Sequence, residues 1–158
     1  MKLQVYVRLC APNDNYGNPR RVIVVSEVDN DCPYAGTKRL AVIDEGYVGE
    51  SAVRQKFPNA LRVNEVNISA GEYRRWMRVR RADEELKQEE RCGRILKRVT
   101  EALPDQNAWS MADVRRIEKG LRIGNLKEAT SSRFYNKFPD AYAVLERIVR
   151  EEWEADQQ

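Results

Sequence analysis

Residues 60–81 read Ala-Leu-Arg-Val-Asn-Glu-Val-Asn-Ile-Ser-Ala-Gly-Glu-Tyr-Arg-Arg-Trp-Met-Arg-Val-Arg-Arg, and the chain changes periodicity within them. Ala60 to Ile68 alternates as a strand does, with a change of phase between Val63 and Val66 that predicts a bulge. Ser69 followed by Glu72 has the spacing of a capping box, in which side chains satisfy free backbone N–H groups at a helix start. Beyond it Tyr73, Trp76 and Met77 recur at helical spacing, and Leu86, Ile95, Leu96, Val99 and Leu103 extend the apolar stripe. The stripe fades across Lys87–Arg91 and Gly93 follows, so one long helix competes with two; one helix from Ala70 to about Leu103 is expected. A strand feeding a long helix points to an α+β protein.

Upstream of this stretch, Leu3, Val5, Val7 and Leu9 alternate with polar residues as in a half-buried strand. Ala11 to Pro19 is turn-rich. Arg20 to Val28 is a second strand with the unbroken apolar run Val22–Val25, giving a hairpin with a long tip. Asp29 to Lys38 reads as a loop, and Arg39 to Asp44 as a third strand. Gly49 to Phe57 predicts a short helix stopped by Pro58. The expected fold is an antiparallel sheet of three or four strands packed on the long helix.

Downstream, Pro104 to Trp109 is the expected boundary, separating an α+β domain (1–103) from a three-helix unit (104–158). Ser110 with Asp113 caps the first of these helices, ended by Gly120. Asn125 with Glu128 caps the second, stopped by Pro139. Asp140 caps the third, whose stripe is Ala141, Val144, Leu145, Ile148, Val149 and Trp153.

The 158 residues are 42% hydrophobic and 34% charged, enough for a core beneath a heavily charged surface. Residues 1–9 lack the apolar segment of a signal peptide, and no run approaches the ~18 apolar residues of a membrane span. Cys10, Cys32 and Cys92 form no metal-type or disulfide-type spacing, so a reducing, cytoplasmic setting is expected. The chain has no histidine, which removes the commonest general base and metal ligand. No glycine-rich phosphate loop is present. Neither cofactor nor catalytic residue is expected. Asp44-Glu45 is the one pair of carboxylates placed for magnesium chemistry, and the remote alternative of a magnesium-dependent nuclease rests on it. Its ordinary reading is a solvated strand end before Gly46.

Net charge is only +3, so distribution matters more than total. Five arginines fall within residues 74–81, and Arg74, Arg78 and Arg81 share one helical face. Guanidinium groups bind phosphate bidentately. The same row also reads as a solvated face paired with Asp83, Glu84 and Glu85. Arg20 and Arg21 follow the hairpin tip, where Tyr16 accompanies them. In the C-terminal unit Lys127, Arg133 and Lys137, with Thr130, Ser131 and Asn136, have the mix that contacts phosphates and base edges. From Glu151 to Asp156 there are four acids and no base.

The opening Val5-Tyr6-Val7-Arg8-Leu9-Cys10-Ala11-Pro12-Asn13-Asp14-Asn15-Tyr16-Gly17-Asn18-Pro19-Arg20-Arg21-Val22-Ile23-Val24-Val25, with Val66-Asn67-Ile68-Ser69-Ala70-Gly71-Glu72-Tyr73-Arg74-Arg75-Trp76, resembles small accessory proteins of phages and mobile elements. That resemblance covers about half the chain. It brings no assigned activity and implies action by binding, often against host defence machinery. The expectation is a non-enzymatic protein that meets nucleic acid or a nucleoprotein complex through its basic helix. The alternative is a protein-only inhibitor or adaptor acting on a host protein, such as an RNA-guided (CRISPR-type) defence complex. Neither a membrane nor a small-molecule substrate is expected as a partner.

Overall fold

A computed structural model describes residues 2–28, 36–103, 109–122 and 139–158. Its contacts group into two compact units that divide within one helix, between Glu84 and Glu85. The division falls just ahead of the stretch where the apolar stripe fades, because a helix belongs to whichever core its apolar residues enter.

In the first unit, β1 (Leu3–Ala11), β2 (Arg20–Val28), β3 (Gly36–Asp44) and β4 (Leu61–Asn67) form a sheet of order β3-β2-β1-β4. The first three strands are an antiparallel meander, with Leu3 opposite Val28 and Val22 opposite Asp44. β4 joins the free edge of β1 in parallel, so the sheet is mixed rather than antiparallel throughout. The cause is the connection. Helix α1 (Glu45–Lys56) carries the chain from the end of β3 across to β4, and such a crossover brings a strand back in the same direction. The expected bulge is present: register slips between Val7/Val63 and Leu9/Val66.

Both faces of the sheet are covered, which is why Val22 to Val25 is apolar without a break. Tyr6, Ile23 and Val25 pack with Val53 and Phe57 on the α1 side. Leu9, Val22, Val24 and Val42 pack with Tyr73, Trp76 and Met77 on the other, against helix α2 (Ala70–Ala102). α2 is a single helix of 33 residues. α1 starts earlier than expected, with Asp44 accepting the Gly46 N–H as its cap. Gly49, at φ 43° and ψ 165°, interrupts it before the regular turns.

The described residues of the second unit form α2 from Glu85, α3 (Met111–Arg122) and α4 (Pro139–Gln157). Cys92, Ile95 and Val99 meet Val114, Ile117, Leu145, Ile148 and Val149 in its core. Ser110 and Asp113 cap α3 reciprocally, each accepting the other's backbone N–H. Gly120 does not end α3; it is buried inside it. Asp140 lies within α4, whose first residue is Pro139, a position where a missing N–H costs nothing. The helix expected from Asn125 lies outside the described residues.

Candidate nucleic-acid interface

Ser69 starts α2 as its sequence demands, its hydroxyl accepting the Glu72 N–H at 3.1 Å. From the end of β4 the helix crosses the sheet toward β3. There Arg80 reaches Asp44 at 3.3 Å and Asp83 reaches Arg39 at 3.1 Å. Tyr73, Trp76 and Met77 face the sheet, so Arg74, Arg75, Arg78 and Arg81 face outward and are exposed.

The arginines of α2 receive two different treatments. Arg80 pairs with Asp44 and with Glu84, at 2.9 Å, on the inward side. Arg74, Arg75, Arg78 and Arg81 make no ion pair or side-chain hydrogen bond among the described residues. The acids expected to neutralise them are engaged elsewhere or free: Asp83 holds Arg39, and Glu85 does not meet Arg81.

In the second unit the same helix leaves no arginine unpaired. Arg91 binds Glu118 at 2.6 Å and Asp156 at 2.7 Å. Arg94 binds Glu152 and Asp156, and Arg98 binds Glu151 and Glu152. Arg115 of α3 binds Glu89. The acidic stretch of α4 is thus the counter-face of these arginines. Burial pushes the Glu152 carboxyl up, but hydrogen bonds from Arg94 and Arg98 outweigh it and hold the group below its ordinary value.

The remaining candidates divide. Arg20 is committed to its own hairpin, donating to the Pro12 and Asn13 carbonyls at 3.0 Å each and lying 5.6 Å over the Tyr73 ring. Arg21 is exposed. Lys127, Arg133 and Lys137 lie outside the described residues.

Asp44 and Glu45 do not converge as a magnesium pair. Asp44 opposes Val22 on the α2 side of the sheet and engages Arg80. Glu45 turns to the α1 side, where it meets Arg8. No cluster of three acids or cysteines suited to a metal occurs among the described residues.

A second charged assembly escaped the sequence reading. Arg8, only 9% exposed in the middle of β1, contacts Glu45, Glu50 and Glu65. Arg54 and Arg62 add cations around Glu50, and the Tyr6 hydroxyl donates to Glu50 at 2.9 Å. Three arginines balance three glutamates, so this is a closed network that ties β1, β4 and α1 together. No protein-family model matches the chain, and neither a curated protein nor a solved structure matches it.

Proposed function

We propose that the protein binds nucleic acid, alone or in a nucleoprotein complex, and that the outward arginines of α2's first half are its contact surface. The observation that carries this reading is the contrast along one helix. Where α2 has a protein partner, its arginines are saturated with carboxylates. Where its outer face meets solvent, four arginines stand without a counter-charge. Unpaired guanidinium groups take phosphate bidentately. The role is binding without catalysis, in keeping with a chain that has no histidine and with acids at Asp44 and Glu45 already held by arginines.

The test is a titration of labelled oligonucleotide by fluorescence anisotropy at rising salt. The combined change Arg74→Ala, Arg75→Ala and Arg78→Ala is expected to weaken binding more than tenfold, or about 1.4 kcal/mol. It should also flatten the salt dependence, since each lost phosphate contact removes about 0.7 to 0.9 from the log–log slope. Unchanged binding by a folded variant overturns the reading.

A further inference from the structure

We infer, building on that reading, that the strand bound at this surface is unpaired, its phosphates on the α2 arginines and its bases stacked on Tyr47, with Tyr16 as a second platform. The topology places these groups together. β1, β3 and β4 run parallel to one another, so their carboxyl ends share one end of the sheet. The hairpin tip with Tyr16 follows β1, the turn with Tyr47 follows β3, and the start of α2 follows β4.

Both tyrosines are large, apolar-faced and open to solvent, at 91% exposed for Tyr16 and 85% for Tyr47. Both stand on backbone that is held in place. The Asp14 carboxylate accepts the Tyr16 and Asn18 N–H groups at 2.8 Å each, and Gly17 makes the turn at φ 83°. Tyr47 stands between Asp44, which caps Gly46, and Gly49, whose positive φ ends the turn. Each loop is also tied to α2 by a side chain: Arg20 lies over Tyr73, and Asp44 holds Arg80. A backbone held in advance reduces the freedom lost when the rings stack.

The exposed rings, not the helix face, select the occupant. Gly71, Glu72, Arg74, Arg75, Arg78 and Arg81 offer guanidinium groups, which take phosphates of any strand and guanine edges in a duplex groove alike. They include no large apolar side chain to centre a protein interface. Exposed cations and exposed aromatic rings that share one end of the sheet suit a single strand, because every base has a face to stack and no base in an intact duplex offers one.

The experiment compares an oligothymidylate of about 20 nucleotides, longer than a typical site, with a duplex of the same length at one salt concentration. Polyglutamate serves as a competitor. The single strand is expected to bind more tightly than the duplex. Tyr47→Ala is expected to weaken single-strand binding about tenfold, Tyr47→Phe to retain it, and Tyr16→Ala to weaken it less. At its exposed position Tyr47 is replaceable without loss of fold, which circular dichroism checks. If the duplex binds as well and Tyr47→Ala changes nothing while the triple arginine variant still loses affinity, the inference falls and the phosphate-binding reading stands. If neither nucleic acid binds, or polyglutamate displaces the strand at equal charge concentration, both fall and an acidic protein is the partner.

Discussion

Arg8 Nη1 lies 2.7 Å from Glu65 Oε1, across 57 residues of sequence, because β4 slips its register between Val63 and Val66. Val63 and Val66 both point to the α2 side, opposite Val7 and Leu9. The extra residue in the bulge leaves Glu65 beside Arg8. Without the slip, Asn64 alone would lie opposite Arg8 and Glu65 would pair with Leu9 on the other face.

Replacing Arg8 by Met removes a mostly buried cation from three carboxylates. The expected cost is about 3 kcal/mol, the low end for breaking a buried pair because Glu50 and Glu65 keep some solvent. Acid should narrow the difference. The hydrogen bond from Arg8 holds Glu65 below the ordinary carboxylate value and is lost in the variant, whereas Glu50 is held down by Tyr6 and Arg54, which the variant keeps. A depressed folded value stabilises above the unfolded value, about 4.3, and the gain is lost as pH falls through the folded one. Urea unfolding of both proteins from pH 7 downward measures this. A gap that widens in acid contradicts the assignment.

Glu118 is fully buried and accepts from Gln88 at 2.8 Å and from Arg91 at 2.6 Å. Glu118→Ala strips Gln88 of its acceptor in the core of the second unit and leaves Arg91 with Asp156 alone. A loss of about 3 to 5 kcal/mol is expected, read as a lowered urea midpoint. Arg91→Met in the same background should restore part of it, since the guanidinium nitrogen that Glu118 no longer meets then disappears. No recovery in the double variant shows that packing, not charge, sets the cost.

Cys92 sits in the same core, and burial pushes its thiol up to about 11. Thiolate is the reactive form, so Cys92 should resist alkylation at neutral pH for as long as the second unit stays folded. Timed iodoacetamide labelling with peptide mass spectrometry follows this site by itself. Its labelling rate should rise with urea in step with unfolding. Rapid labelling in native buffer means the helices open locally.

The parts of this protein that were legible in its sequence are those fixed by neighbours. β2 was readable from Arg20 to Val28 because its residue types change at both ends. The start of α2 was readable because Ser69 and Glu72 must meet a few residues apart. The direction of β4 was not, since strand direction depends on the path of α1 rather than on Leu61–Asn67 themselves. Arg8 looked like an outward polar residue between Val7 and Leu9. Nothing local says that α1 covers that face and brings Glu45 and Glu50 to it. The acids of α4 likewise looked solvated, because their arginine partners are more than 50 residues away. For the outward face of α2, sequence supplied the row of arginines, and the fold supplied which of them stay free.

That division predicts opposite stability effects from the same substitution at two places on α2. Arg94 and Arg98 are held by Glu151, Glu152 and Asp156. Changing both to Ala should cost about 1 kcal/mol, as expected for partly exposed pairs that form a network. Arg74, Arg75 and Arg78 hold nothing, and Ala is the better helix former by a few tenths of a kcal/mol per site. The triple variant should therefore unfold at the same temperature as the parent or slightly above it, while losing nucleic-acid affinity. A binding surface kept at a small cost in stability behaves this way. Thermal unfolding of the two variants beside the parent decides the matter. Equal destabilisation by both means that the outward arginines are structural after all, and the proposed interface must then be given up.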